Sequence, residues 1–95
     1  MTILEAIQAN PVFSDLPENT IQYVLVSRSV DGAATYASSS LKEVELVSAD
    51  LYLQLSLLPE FKEGQMQVKY DSATLKSRAL TIYQKYEDQK ALELG

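Results

Sequence analysis

A chain of 95 residues with a net charge of −5 and 46% hydrophobic residues is long enough for one domain with a thin core. It contains no cysteine and no histidine, which excludes a disulfide framework, thiolate zinc sites and histidine-dependent catalytic triads. Its acidity disfavours generic nucleic-acid binding, because that binding depends on dense positive charge.

The first predicted element is a short helix from Ile3 to Ala9, which ends before Pro11. Thr2 and Glu5 have the spacing of a capping box at its start. The same stretch lacks a basic n-region, so we expect no signal peptide. No apolar run approaches the roughly 18 residues that a membrane span needs, and we expect a soluble, intracellular protein with no membrane partner.

The second predicted helix begins near Leu16 and ends near Val30, where a break signal follows. Asp15 and Glu18 have capping-box spacing at its start. The next stretch, "DGAATYASSS" at 31–40, consists mainly of small and polar residues and is predicted to be a loop.

The third predicted helix, from Leu41 to about Leu58, is the longest. Its apolar residues form two stripes, at Val44, Val47, Leu51, Leu55 and Leu58 and at Leu46, Leu53 and Leu57. A helix that is apolar around so much of its circumference must be covered on several sides, which predicts that it is the central helix.

Asp50 lies between these two stripes, and two interpretations stay open for it. In the first, the carboxylate sits at the boundary of the core and remains solvated. In the second, it is partly buried and paired with Arg28 or Arg78, because an unpaired buried carboxylate is costly.

A single segment with strand periodicity follows the helix break at Gly64. In residues 65–70 the apolar side chains Met66, Val68 and Tyr70 alternate with the polar side chains Gln65, Gln67 and Lys69. A lone strand needs a neighbour, because buried unpaired amides and carbonyls are costly. That neighbour is either the loop at 34–38 of the same chain or an adjacent copy, and the second alternative makes residues 65–70 an oligomer interface.

The fourth predicted helix has Asp71 as its N-cap and runs to about Gln89. Lys76, Arg78 and Lys85 give it a modest basic character. These cations indicate either an ordinary amphipathic helix or weak contacts to DNA phosphates or an acidic partner. Residues 90–95 are predicted to be a frayed tail.

The sequence therefore predicts a mainly α, four-helix domain over residues 1–95, with one short strand at 65–70 between the third and fourth helices. Its charge is uneven along the chain. Residues 1–63 have nine acidic and three basic side chains, whereas residues 64–95 have four acidic and five basic ones. This asymmetry is either a solvated surface or a head-to-tail electrostatic match between copies.

Residues with catalytic spacing are not found in the sequence. The three glycines form no phosphate-binding loop, and Glu43 and Glu45 point to different faces of their helix. No EF-hand spacing suggests a calcium site. We therefore expect a protein that is not an enzyme and that has no cofactor and no metal.

Three stretches resemble the head–tail connector proteins of phages and prophages, also called head-completion or neck adaptor proteins. They are "SADLYLQL" at 48–55, "EGQMQVKYD" at 63–71 and "LKSRALTIYQKYED" at 75–88, and the pattern from Ala79 to Tyr86 is the most characteristic. Members of that family tend to have a glycine after the final tyrosine and an Arg-Gly pair after the second helix. In this chain those positions are Glu87 and Arg28-Ser29.

The resemblance implies a mostly helical, non-catalytic protein that forms a ring below the portal and links the capsid to the tail around the DNA channel. Its partners would be copies of itself, portal proteins and tail proteins, with a weak DNA contact in the channel. It would be found in the virion neck, or in the bacterial cytoplasm during assembly. The alternative from the residues alone is a monomeric, non-catalytic, acidic helical module that binds another protein.

Overall fold

The computed structural model describes residues 1–14, 16–57 and 72–94, which are mainly α-helical. The α-helices in these ranges are α1 (Ile3–Gln8), α2 (Glu18–Ser27), α3 (Leu41–Leu57), α4 (Ser72–Lys85) and α5 (Gln89–Leu94), and 3-10 turns cover Pro11–Phe13 and Ser38–Ser40. None of these helices is long and apolar enough to cross a bilayer. The mainly α class is confirmed, whereas the strand predicted at 65–70 lies outside the described residues.

The chain divides into two units, Met1–Ser48 and Ala49–Gly95, which we describe in turn. In the first unit, α1 begins with the predicted capping box. The Thr2 hydroxyl accepts from the Glu5 amide at 3.1 Å, and the Thr2 amide donates to Glu5 Oε1 at 2.8 Å. The hydrogen bond from the Thr2 backbone is the main reason that the pKa of the Glu5 carboxyl lies below its ordinary value.

The predicted bounds of α2 are wrong at both ends. The helix begins at Glu18 and not near Leu16, because Pro17 has an extended ψ of 144° and takes the N-cap position. It ends at Ser27 and not near Val30, because Ser29 adopts a left-handed φ of 57°. Asp15, the other half of the predicted capping box, lies outside the described residues.

A Schellman motif closes the C-terminal end of α2. The Val30 amide donates to the Leu25 carbonyl at 2.9 Å, and the Ser29 amide donates to the Val26 carbonyl at 2.9 Å. These two bonds satisfy carbonyls that the end of the helix leaves without partners. The motif requires a left-handed residue at Ser29, a conformation that glycine adopts most easily.

The loop after α2 pairs with the N-terminal residues. The amides of Ile3 and Leu4, which open α1, donate to the carbonyls of Ala34 and Gly32 at 2.9 and 3.0 Å. A Cβ atom on Gly32 would lie 2.8 Å from the Leu25 side chain, so the absence of a side chain permits this close approach. The only bridge among the described residues, Thr2 with Thr35, belongs to the same pairing.

The core side chains of the first unit come from both helices, from the first 3-10 turn and from the start of α3. They are Ile3, Ile7, Val12, Phe13, Ile21, Val24, Leu25, Leu46 and Val47. The spacings within α1 and α2 place their buried residues on one face of each helix, as the sequence predicts.

The structure describes α3 from Leu41 to Leu57, and its predicted end at about Leu58 lies outside the described residues. Burial extends around most of the circumference of this helix. Its buried residues are Leu46, Val47, Ala49, Asp50, Leu51, Tyr52, Leu55 and Ser56. At about 100° per residue these positions point in nearly every direction from the helix axis. The helix therefore has neighbours on several sides, as its broad apolar surface requires.

In the second unit, α4 buries Leu75, Ala79 and Tyr83 completely. α4 ends at Lys85, before the predicted end near Gln89, because Glu87 has a left-handed φ of 53°. A second Schellman motif closes it: the Asp88 amide donates to the Tyr83 carbonyl at 2.8 Å, and the Glu87 amide donates to the Gln84 carbonyl at 3.2 Å.

The Asp88 carboxylate then starts the next helix, because it accepts from the amide of Lys90 at 3.0 Å. Residues 90–94, for which the sequence predicts a frayed tail, belong to this helix, α5. The prediction of a single domain over residues 1–95 stays a prediction.

Candidate functional site

The predicted oligomer interface, residues 65–70, lies outside the described residues. The structure does describe the loop that the sequence offers as its partner in the same chain. In that loop the carbonyl of Ala34 and the amide of Tyr36 already bond to Ile3 and Met1, at 2.9 and 2.8 Å. One edge of the short extended segment is therefore occupied by the N-terminal residues.

The predicted partner or DNA contacts, Lys76, Arg78 and Lys85, are all exposed on α4, which has no acidic residue. Arg78 and Lys85 are seven residues apart and lie on almost the same side of the helix. Lys76 precedes Arg78 by two residues and lies on the opposite side, about 200° away. The three cations therefore do not form one patch: Arg78 and Lys85 share a side, and Lys76 is separate.

The two sides of α4 have different surroundings. The ammonium of Lys85 lies 5.1 Å from the centroid of the Tyr86 ring, a cation–π distance. Lys76 borders a small depression of about 280 Å³ that it shares with Ala73, Ser77 and Leu80. Arg78 borders a larger groove on its own side of the helix.

This larger groove has a volume of about 540 Å³ and is open to solvent. The described residues that line it are Tyr52, Ala73, Thr74, Ser77, Arg78, Thr81 and Ile82. Its surface is mainly apolar, and Arg78 is the one charged residue among these lining residues. We call it the α4 groove.

The sequence does not predict the α4 groove, although the residues of one of its walls follow a recognisable spacing. Ala73, Ser77 and Thr81 follow one another at intervals of four and form a row of small side chains on one face of α4. These small side chains leave space beside the helix for one side of the groove. The opposite wall comes from Tyr52 of α3, and only the tertiary structure brings the two walls together.

Asp50 is the centre of a second polar site in the same unit. Its side chain is only 8% exposed, and Oδ1 accepts from the Tyr83 hydroxyl at 2.5 Å and from the Lys90 ammonium at 2.9 Å. The ammonium also lies 5.9 Å from the centroid of the Tyr83 ring. The interpretation of Asp50 as a buried, paired carboxylate is confirmed, and the cation that the structure shows on it is Lys90, where the sequence suggested Arg28 or Arg78.

The Asp50 cluster joins three helices of this unit. Its carboxylate oxygen is held by two donors, and α3, α4 and α5 each contribute one residue to it. In the described ranges no buried side-chain nitrogen or oxygen lacks a hydrogen-bond partner. The same ranges contain no group of three or more acidic residues able to hold a metal ion.

Comparison with known proteins places the chain in a sequence family. No curated protein and no solved structure matches it significantly. Residues 1–93 match DUF6706, a family of unknown function, and these residues are nearly all of the 95 in the chain. The chain is therefore a member of the DUF6706 family.

Proposed function

We propose that this chain is a non-catalytic structural subunit of a phage or prophage neck: a head–tail connector that assembles into a ring between the portal and the tail. The proposal starts from the three sequence stretches that resemble such connectors. It takes copies of the chain, portal proteins and tail proteins as the partners, requires no cofactor, and places the protein in the virion neck.

The observation that carries the proposal is the hydrogen bond between Asp50 and Tyr83. Asp50 belongs to the stretch "SADLYLQL", and Tyr83 belongs to "LKSRALTIYQKYED". Two of the three resembling stretches therefore meet at one buried polar contact, where Tyr83, which belongs to the most characteristic stretch, is completely buried. The likeness thus involves residues that build the second unit, which supports a shared architecture with the connectors.

At the two positions where the chain departs from the connector pattern, the backbone has the conformation that glycine favours. Connectors tend to have glycine at the positions of Ser29 and Glu87, and these residues have left-handed φ angles of 57° and 53°. Glycine favours that conformation, because it has no Cβ atom to clash with the backbone. The chain therefore keeps the backbone that glycine would provide, although the side chains differ.

A role in assembly explains the segment at 65–70. Its strand periodicity calls for a partner, and the loop at 34–38 has one edge already bonded to the N-terminal residues. A neighbouring copy is then the better source of a partner strand. On α4, only one of its two cationic sides can face a DNA channel, either the side of Lys76 or the side of Arg78 and Lys85.

Sedimentation velocity with the Val68→Pro variant tests this proposal. Proline removes a backbone donor from the middle of the predicted strand, so we expect the wild-type chain to sediment as an oligomer and the variant as a folded monomer. Val68→Thr, which keeps the donor and a β-branched side chain, should assemble like the wild type. Circular dichroism of each variant monitors the helices.

Two results would contradict this interpretation of the segment. A wild-type chain that remains monomeric both at high concentration and with portal rings would favour the acidic, protein-binding module instead. Loss of helical signal in Val68→Pro would mean that the segment pairs within its own chain.

A further inference from the structure

The outer face of α2 carries an apolar pair. Tyr23 and Val26 are 69% and 74% exposed and lie one helical turn apart, so that their side chains are neighbours. The other large hydrophobic side chains exposed in the described part of the chain, Met1, Leu41 and Leu92, lie on separate elements. Tyrosine is enriched at protein interfaces and among the residues that contribute most of their binding energy.

The charges of α2 and α4 are opposite in sign. Glu18, which is exposed, is the one charged residue of α2, whereas α4 carries three cations and no acid. The unit that contains α2, Met1–Ser48, has six acidic and two basic residues. Opposite potentials of this kind favour an encounter between the first unit of one copy and α4 of another.

The α4 groove suits the pair on α2. Its volume of about 540 Å³ falls within the range of about 300–1,000 Å³ that is usual for binding pockets, and its surface is mainly apolar. The Ser77 hydroxyl lines the groove and offers a hydrogen-bond partner to a phenol, which needs one when it is buried. The Thr81 hydroxyl already donates to the Ser77 carbonyl at 3.0 Å. Arg78 borders the groove, where an incoming acidic helix end would meet it.

We propose that Tyr23 and Val26 of one copy dock in the α4 groove of a second copy, so that the acidic first unit of one copy meets the basic α4 of the other. This inference rests on the proposed function, because it specifies how connector subunits join. The contact is head-to-tail: each copy offers the α2 pair to one neighbour and its groove to another. Such contacts extend from subunit to subunit and can close into a ring.

Cross-linking between single-cysteine variants tests the contact directly, because the chain has no cysteine of its own. Asn19 is exposed and lies one helical turn before Tyr23, so a cysteine at this position leaves the docking pair intact. Asn19→Cys and Thr81→Cys are mixed with a short bismaleimide, and the yield of the mixed dimer is measured by mass spectrometry. We expect it to form about tenfold faster than the Leu92→Cys and Thr81→Cys pair, since docking raises the effective concentration. Leu92 is 85% exposed on α5 and is the matched control. Equal rates for the two pairs would overturn the inference.

Complementation between two defective variants tests the head-to-tail geometry. Tyr23→Ser removes the docking side chain, and Ser77→Arg fills the groove, so each variant alone should lose the contact. A mixture should form dimers, because one intact α2 pair can still meet one intact groove. Absence of complex in the mixture would contradict the proposal, as would a loss of thermal stability in Ser77→Arg, which would show that the chain itself covers the groove.

The results of these experiments can contradict the docking contact and the connector function independently of each other. If wild-type oligomers depend on Val68 but the two cross-linking rates are equal, the docking contact is wrong and the connector proposal stands. If the Asn19–Thr81 cross-link forms rapidly but the protein does not bind portal rings, the contact is right and the connector proposal fails.

Discussion

Ser29 and Glu87 hold strained positions that glycine would occupy without strain. A left-handed conformation costs a residue with a Cβ atom about 1–2 kcal/mol. Both residues stand where a Schellman motif needs this conformation, after α2 and after α4. No glycine marks either helix end in the sequence, which is why the predicted ends lie about three or four residues too late.

Glu87→Gly should therefore stabilise the protein. Relief of the left-handed strain exceeds the extra flexibility that glycine gives the unfolded chain, so we expect the free energy of unfolding to rise by about 0.5–1 kcal/mol. Urea denaturation measures the change. Gln84→Gly, three residues earlier and within α4, is the control and should lower stability by about 1 kcal/mol. A loss of stability in both variants would contradict the left-handed assignment.

Local and long-range features of single residues differ in how well the sequence predicts them. The Thr2–Glu5 capping box is correct, because both partners lie within one helical turn and their spacing is the whole signal. The partial burial of Asp50 also follows from its position between two apolar stripes. Its partner Lys90 lies 40 residues away on α5, a helix that the sequence does not predict.

At the scale of elements, Asp50 is the point where three helices meet. It joins α3 to α4 through the Tyr83 hydroxyl and to α5 through Lys90. The Lys90 side chain is 40% exposed, so its ion pair is screened and contributes less than its distance suggests. The buried hydroxyl therefore makes the larger contribution to holding the helices together.

Tyr83→Phe removes this hydroxyl and leaves the ring in place. Hydrogen bonds to charged groups contribute about 1.5–3 kcal/mol, and we expect the free energy of unfolding to fall by that amount. Tyr23→Phe, at a position that is 69% exposed, is the control and should change it little. Equal stability of Tyr83→Phe and the wild type, measured by chemical denaturation, would show that the hydrogen bond has no net effect.

Helix identity is easier to predict than the surfaces that helices form together. The apolar spacing in α3 and the lack of acids in α4 are visible in the sequence, and both helices occur where the pattern indicates. The α4 groove is not visible in this way, since its walls come from Tyr52 and from α4, twenty or more residues apart. The separation of Lys76 from Arg78 and Lys85 follows from helix geometry once the bounds of α4 are known.

At the scale of the whole molecule, charge is distributed unevenly along the chain. The acidic residues concentrate in the first two thirds of the chain, and the final third is slightly basic. In the proposed docking, an apolar pair on acidic α2 and an apolar groove on basic α4 give each copy two complementary surfaces. In the proposed connector, these surfaces and the segment at 65–70 join subunits laterally, while portal and tail proteins bind the ring ends.

Electron microscopy of the chain mixed with the portal ring encoded in the same genome tests the central claim most directly. The account predicts that particles gain a second, coaxial ring of density at one end of the portal, and that Tyr23→Ser removes this density while Leu92→Ser keeps it. Portal rings that remain bare at saturating concentrations of the wild-type chain would contradict the proposed connector function.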